Sequence, residues 1–437
     1  MLLLKEEGVL DVSNTFRIHG VRDLIIIASL IWFVSYIIHA PTAFGGTWIY
    51  SDITYIIVRS GINNTKRMLI PYRDYYFEYP PIVAMLFIIV NLVVIIFPSN
   101  DTQVLWFVGY SVMSFLVYIH AVGTVIILHR LVRYVDRRDI HILMYYIVMP
   151  SFLIYSNYNW DTVGIFYALL GLYLFLKGKK HLSFIAFGLA AAGKIIPAVV
   201  ALAPVSQLYA EKANELAKKT NGGMALSDYI IAIVYAFLHL MISIGIFLLA
   251  NLPFMIISFD AWYEGVILHH ARWYVECSWL IMLFNPYDPS AKLVSIAVIT
   301  ALIIYIFTTI STIDISKDIR VVYGSAAFMS AYLFGAYVFT PQMSLLVLPL
   351  LVLVPVDYVL VFIFDALNAI IILTWFTHTK IYSLFGVDLE YGALDRLSIP
   401  QIAATLRCFV LLIIVIKILR KMESGIKMEQ DSDDALT

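Results

Sequence analysis

Residues 181–209 read HLSFIAFGLAAAGKIIPAVVALAPVSQLY, a hydrophobic stretch with Lys194 and Pro197 at its middle. A membrane-spanning helix needs about 20 apolar residues, so this stretch forms either one long helix or two short ones. Proline removes a backbone donor and breaks a helix, and a lysine inside a hydrocarbon layer is costly. Both residues favour two short helices that meet near Lys194.

The composition of the rest of the chain is that of a membrane protein. Of the 437 residues, 62% are hydrophobic and 14% are charged, and the mean hydropathy is +0.88. A soluble globular protein of this length does not have such a composition. We predict a single all-α domain over residues 1–437, a polytopic bundle of membrane-spanning helices. The net charge of −1 argues against a nucleic-acid partner, and two cysteines exclude a disulfide framework.

Other apolar stretches predict further membrane-spanning helices. The first follows a charged N-terminal stretch and lacks a small-residue cleavage site, so we expect a retained helix rather than a signal peptide. Residues 82–97 are ambiguous because only 16 residues lie between prolines. The clear candidates are 22–40, 104–128, 140–156, 162–176, 229–250, 291–312, 321–338, 343–359, 360–377 and 401–419.

The positions of the basic loops distinguish between the possible topologies, because Lys and Arg are enriched in short cytoplasmic loops. All five basic loops share one side if 82–97 is an interfacial or re-entrant helix and 181–209 is two helices. This arrangement predicts about twelve spans, both termini in the cytoplasm and a cytoplasmic tail over 420–437. The basic loops are Arg130–Arg138, Lys177–Lys180, Lys212–Lys219, Lys317–Arg320 and Lys417–Lys427. The predicted outer segments are 41–103, 155–161, the Lys194 turn, 251–290 and 339–343.

The first outer loop contains the most polar run of the chain, YSDITYIIVRSGINNTKRMLIPYRDYYFEYPP over residues 50–81. Asp52 is a candidate general base at the membrane surface; the alternative is a carboxylate that caps a helix beginning near Ile53. Arg73, Glu78 and Tyr79 lie among further tyrosines, a combination suited to gripping a sugar. The alternative there is an aromatic belt at the membrane interface.

Two further candidates begin or break helices. Asp161 ends the run Asn159-Trp160-Asp161 and is either a functional carboxylate or the N-cap of the next helix. Lys194 needs a partner or water at its depth. We expect a phosphate partner, against the alternative of a lysine whose side chain reaches out to water from a short helix end.

The remaining candidates lie in the last two outer segments. His269, His270, Arg272 and Glu276 are close together in sequence, and one histidine is expected near an anionic lipid phosphate. Arg272 and Glu276 are also spaced for an ion pair on a helix surface, and adjacent histidines do not suit a two-histidine metal site. Gln342 either bonds a sugar hydroxyl or satisfies a helix terminus.

The order of these segments resembles the GT-C superfamily of integral-membrane glycosyltransferases. The resemblance is to the branch of polyprenyl-phosphate-mannose-dependent alpha-mannosyltransferases that includes the mycobacterial phosphatidylinositol-mannoside enzymes, and it covers roughly residues 20 to 345. The motifs in order are Asp52, PYRDYYFEYPP at 71–81, NWD at 159–161, AAGKIIP at 191–197, HHARWYVECSW at 269–279 and FTPQ at 339–342.

The resemblance implies an inverting transfer of a sugar, mannose by analogy, on the outer face of the cell membrane. The donor would be a polyprenyl-phosphate sugar, and the acceptor a glycolipid or lipid-linked oligosaccharide. Asp52 would be the catalytic base, with Lys194, His270, Arg272 and Glu276 binding the donor phosphate or positioning the acceptor. Because Ile53 rather than a second carboxylate follows Asp52, a metal-independent reaction without cofactors is favoured, while a divalent cation stays an open alternative.

Two other classes of protein remain open. A lipid-linked-glycan flippase or other transporter would also have about a dozen helices, but it should show an internal repeat and charges near the middle of several helices. No convincing repeat is present in the sequence. A noncatalytic membrane scaffold would use the aromatic outer loop as a docking surface and would tolerate replacement of Asp52.

Overall fold

The computed structural model describes residues 20–42, 47–135, 142–220, 223–269, 273–313, 315–386 and 389–434, with side chains described as far as residue 424. The described residues form helices joined by short links, with three isolated β-bridges and no named strand. The α-helices are Val21–His39, Asp52–Arg59, Pro81–Ile96, Thr102–Leu131, Ile142–Ile147, Pro150–Tyr155, Asp161–Leu176, Lys180–Gly193, Leu202–Lys219, Leu226–Ile257, Phe259–Trp262, Ser290–Thr312, Lys317–Gly335, Ser344–Leu351, Tyr358–Trp375, His378–Ser383 and Ile399–Asp434.

Within the described ranges, six helical segments are long and apolar enough to cross a membrane. The prediction of an all-α membrane protein is therefore confirmed, whereas the count of about twelve spans stays a prediction. The six segments are Val21–His39, Thr102–Tyr134, Leu226–Ile257, Ser290–Thr312, Tyr358–Trp375 and Gly392–Ser424. Three shorter apolar segments are Pro81–Ile96, Asp161–Leu176 and Pro341–Leu351.

Two predicted spans are not single helices. Residues 140–156 contain two short helices that meet at Pro150, because this proline starts a new helix and cannot donate to the preceding one. In the predicted span over 343–359, one helix ends at Leu351 and the next begins only at Tyr358, with turns and Pro355 between them. Prolines therefore divide both stretches into segments too short to span a membrane by themselves.

The stretch 181–209 is a helical hairpin. The first helix ends at Gly193, Lys194 is extended with φ −161° and ψ 133°, and a short 3₁₀ turn over Ile196–Ala201 leads into the second helix. Lys180, at the start of the first helix, pairs with Glu211 of the second at 2.9 Å. This contact makes the two helices antiparallel, so the two-helix interpretation is confirmed.

Basic loops meet at one end of the bundle, which we call the basic end. Lys317 lies 3.6 Å from Glu211, and its ammonium is 5.1 Å from the ring centre of Phe175. Lys177 lies over the ring of Tyr134 at 6.0 Å. Residues from four of the five predicted cytoplasmic loops, or next to them, are thus neighbours. Which side of a membrane this end faces stays a prediction.

The predicted outer loop packs around the first half of helix Thr102–Leu131. A methyl group at Gly109 would lie 3.4 Å from Ile57 and 3.5 Å from Val90, so three helices meet at this point. Because the link 97–101 is short, helix Pro81–Ile96 runs antiparallel beside this half and does not follow its partner to the basic end. This packing is compatible with an interfacial or re-entrant helix, which stays a prediction.

Candidate functional site

Asp52 is the first residue of its helix, but it does not cap it. The N-cap is Ser51, whose side chain accepts a hydrogen bond from the Ile53 amide at 3.2 Å. The amide of Asp52 donates to the Tyr158 carbonyl at 2.8 Å, which fixes the start of the helix against a distant segment. The capping interpretation of Asp52 was therefore wrong, and its partly buried carboxylate is available for other contacts.

The surroundings of Asp52 bring the pKa of its carboxyl close to neutral pH. Burial is the main reason that the pKa of Asp52 rises to about 7. A hydrogen bond from Tyr50 and the charge of Lys194 oppose this rise, whereas the charges of Asp161 and Glu78 add to it. A carboxylate that is half ionised near pH 7 has the proton affinity suited to a general base.

Lys194 pairs with a carboxylate of the protein. Its ammonium contacts the Asp161 side chain, which is fully buried, while 18% of the Lys194 side chain is exposed. Trp160 occupies the N-cap position and Asp161 makes no cap hydrogen bond, so the capping interpretation of Asp161 was wrong. The partner that Lys194 requires is thus Asp161 in this structure, where the sequence had led us to expect a phosphate.

Glu276 lies in a short non-helical strap, residues 273–278. Its amide donates to the Tyr337 carbonyl at 3.0 Å, and its carbonyl accepts from the Phe339 amide at 2.9 Å. Its buried carboxylate accepts a hydrogen bond from the Trp273 indole at 2.7 Å. Burial, with a further contribution from the charge of Asp52, raises the pKa of Glu276 to about 7. The alternative of an ion pair with Arg272 on a helix surface does not apply, because residues 273–278 are not helical.

His270 and Arg272 lie outside the described residues. His269 is described, and its Nδ1 atom is 2.9 Å from the Tyr76 hydroxyl of the first loop. Burial and the charge of Arg59 lower the pKa of this histidine. The loop and the segment before the strap are therefore in direct contact.

A glycine permits that contact. The π-helical turn Tyr263–Leu268 contains Gly265, and a methyl group there would lie 2.0 Å from the Phe77 carbonyl oxygen. Only a residue without a side chain allows the two backbones to approach so closely. The close approach presses the first loop against the turn that leads to His269.

The first loop brings two of its three candidates toward Asp52. The Tyr79 ring packs edge-on against Trp160 at 4.3 Å, and the Glu78 carboxylate forms two hydrogen bonds with Arg59 at 2.9 and 3.2 Å. Arg73 instead pairs with its neighbour Asp74 at 2.9 Å and is 48% exposed. The structure therefore groups Glu78 and Tyr79 with the site, while Arg73 lies on the loop surface.

Other aromatic residues of this loop are internal. Tyr72 and Phe77 are buried, and their rings pack edge-on with centroids 5.4 Å apart. The Tyr72 hydroxyl donates to the Tyr79 carbonyl. These side chains hold the loop in shape, so an aromatic belt at the membrane interface does not describe them.

Two cavities adjoin the carboxylates. The smaller, about 50 Å³, is lined by Tyr158, Glu276, Thr340, Pro341, Gln342, Ile372 and Trp375. The larger, about 280 Å³, is an apolar groove lined by Trp48, Ile49, Tyr50, Ile154, Ile372, Leu373 and Phe376. They share Ile372, and the rings of Tyr50 and Tyr158 lie 5.6 Å apart between them. Sequence analysis had not singled out either tyrosine, since both contacts depend on the tertiary fold.

The site lies at the end of the bundle away from the basic loops. Asp161 starts a helix and Lys177 directly follows its last residue, so the carboxylates and the basic end lie at opposite ends of that helix. Among the described residues, no three His, Cys, Asp or Glu side chains are grouped as metal ligands.

No protein-family model matches the chain, and no curated protein matches it. The fold and the apolar helices define its class, an all-helical membrane protein.

Proposed function

We propose that the protein is a membrane glycosyltransferase that moves a sugar, mannose in the first instance, from a polyprenyl-phosphate donor to a glycolipid or lipid-linked oligosaccharide. The proposal includes cytoplasmic termini and a site on the outer face of the cell membrane. The observation that carries it is the position of Asp52. Tyr50, which lines an apolar groove, favours the ionised form of this carboxylate, and the charge of Asp52 acts on the cavity residue Glu276.

In the proposed reaction Asp52 takes the proton of an acceptor hydroxyl. The acceptor oxygen then bonds to the anomeric carbon as the bond between that carbon and the phosphate oxygen breaks, which inverts the configuration. The departing lipid phosphate keeps the electron pair of the broken bond. The charge of Lys194 acts on Asp52, and its partly exposed ammonium would stabilise the phosphate charge.

The apolar groove supports a lipid-borne donor. Trp48, Leu373 and Phe376 line it and are 81%, 61% and 56% exposed. Leu373 belongs to a helix long enough to span a membrane, so the proposed opening faces lipid. A polyprenyl chain would lie in this groove while its phosphate reaches the smaller cavity, which Glu276 lines.

The test is transfer of labelled mannose from polyprenyl-phosphate-mannose into a lipid extract by membranes that carry the protein. We expect transfer by the wild type and its loss in Asp52→Asn at equal abundance. Asp260→Asn is the matched control, because this carboxylate is exposed and should leave transfer unchanged. Absence of transfer from mannose, glucose and arabinose lipid donors alike would contradict the proposal.

The proposed topology has its own test. Both native cysteines, Cys277 and Cys408, are buried, so a cysteine introduced by Ser99→Cys would be the main reactive thiol. We expect it to react with an impermeant reagent in intact cells. Reaction only after permeabilisation would show that 82–97 spans the membrane.

One observation favours a transporter as the second candidate. Asp365 and Arg407 are fully buried within two helices long enough to span a membrane, and such charges often mark transport pathways. Sequence analysis overlooked both. Flipping of a fluorescent lipid-linked glycan by reconstituted vesicles, with no transfer of sugar, would favour this candidate.

A further inference from the structure

The C-terminal helix buries an arginine against neutral acceptors. Arg407 is fully buried, and its guanidinium donates to the Asn368 side chain at 2.7 Å, to the Cys277 carbonyl at 2.7 Å and to the Phe339 carbonyl. It also lies 3.6 Å from the centre of the Phe339 ring. No carboxylate among the described side chains pairs with Arg407. A charge buried in this way persists only where surrounding groups are held to receive it.

The two carbonyl acceptors belong to the two chain segments that carry candidate site residues. The strap 273–278 contains Glu276, and the segment 336–342 contains Gln342; a β-bridge between Glu276 and Val338 joins them. Arg407 bonds one carbonyl in each segment, so a single guanidinium fixes their relative position.

A second residue of the C-terminal helix, Gln401, binds the other backbone group of Cys277. The Cys277 amide donates to the Gln401 side chain at 3.0 Å. Cys277 has φ 52°, a left-handed conformation that non-glycine residues rarely adopt unless surrounding contacts impose it. Both backbone hydrogen-bonding groups of Cys277 are thus held by one helix, and this sets the direction of the adjacent Glu276.

We propose that Arg407 and Gln401 are positioning residues that hold the strap so that Glu276 and Gln342 face the smaller cavity. Neither residue touches substrate in this proposal. The assignment rests on the proposed function only where sugar transfer is the readout, and the position of the strap can be measured without it.

The direct test is the reactivity of Cys277 in the purified full-length protein. A small thiol reagent is applied over time, and the labelled peptides of Cys277 and Cys408 are counted by mass spectrometry. In the wild type both thiols are fully buried and should react slowly. We expect Arg407→Met to speed labelling of Cys277 by about tenfold, the factor that 1.4 kcal/mol of opening free energy gives. Labelling of Cys408, which directly follows Arg407 on the same helix, should rise less than labelling of Cys277.

Arg320→Met is the matched control. Arg320 is also buried, and it donates to the Gln207 side chain at 3.1 Å. It starts a helix from the basic end, so its loss should leave Cys277 protected. Equal labelling of both cysteines in Arg407→Met, or of Cys277 in the Arg320 variant, would show general loosening and overturn the proposal. Continued protection of Cys277 in Arg407→Met would also overturn it.

The transfer assay adds a second readout. If Arg407 positions the strap, Arg407→Lys should raise KM for the donor by about tenfold and leave kcat less affected, whereas Arg320→Lys should change neither. A fall in kcat at unchanged KM would contradict the positioning role. If labelling behaves as expected but the wild type transfers no sugar, the proposed function fails and the positioning role stands.

Discussion

Replacing Asp52 by Asn should stabilise the folded protein, and more so at high pH. The carboxyl has a pKa of about 7 when folded against an ordinary value of 3.8. Between these values the unfolded chain has released a proton that the folded protein still holds, so the free energy of unfolding falls as pH rises. At 1.36 kcal/mol per pKa unit, the loss between pH 5 and pH 8 is at most about 2.5 kcal/mol.

We expect roughly half of that maximum, because Asp52 is partly exposed and solvent screens its charge. An amide stays neutral at every pH, so the variant escapes the loss. In detergent, Asp52→Asn should unfold at a higher temperature than the wild type. This difference in unfolding temperature should be about 2 °C larger at pH 8 than at pH 5.

The assay is intrinsic-fluorescence thermal unfolding at the two pH values, with Asp260→Asn as the exposed control. The unfolding temperature of the control should differ from that of the wild type by the same small amount at both pH values. The reasoning is refuted if the gain of Asp52→Asn is equal at the two values or smaller at pH 8, since the folded carboxyl would then titrate like an exposed one. This test needs no substrate, so its outcome does not depend on the proposed function.

Three further outcomes are expected. Tyr50→Phe removes a hydrogen bond that stabilises the ionised form of Asp52, so the acid limb of the transfer rate should move upward by about one pH unit, as a pH series of the mannose assay would show. Lys194→Met leaves the Asp161 carboxylate buried and unpaired, which should lower the free energy of unfolding by about 3–5 kcal/mol and lower the unfolding temperature. A second change that neutralises Asp161 should restore most of the lost stability. Gly265→Ala forces the new methyl group against the Phe77 carbonyl and should cost about 1–3 kcal/mol by overpacking, again read from thermal unfolding.

Local signals in the sequence predicted local features of the fold. The hairpin break was visible because Lys194 and Pro197 interrupt one apolar stretch, and both act within a turn of their own position. Pro150 and Pro355 carry the same kind of signal, yet length and hydropathy alone had predicted unbroken spans there. Proline should have outweighed hydropathy in those two stretches.

Partners distant in sequence were not predictable in the same way. Nothing near Lys194 identifies Asp161 as its partner, since the two meet only when separate helices pack. Glu276 lies four residues after Arg272 and fits a helix pattern, but its backbone pairs instead with the distant residues Tyr337 and Phe339. Arg407 did carry a local signal, a lone charge in an apolar span, although its partners on other segments are not visible in the sequence.

The charges of the site fit together once these partners are known. Lys194 and Asp161 neutralise each other, so the charge that remains comes from Asp52 and Glu276, and each of these carboxyls has a pKa of about 7. Two ionised carboxylates would repel an anionic lipid phosphate, whereas two protonated ones would leave no base. Because the charge of Asp52 raises the proton affinity of Glu276, the singly ionised state is favoured near neutral pH. In the proposed reaction, that state would keep one base for the acceptor hydroxyl and would reduce the repulsion that the donor phosphate meets.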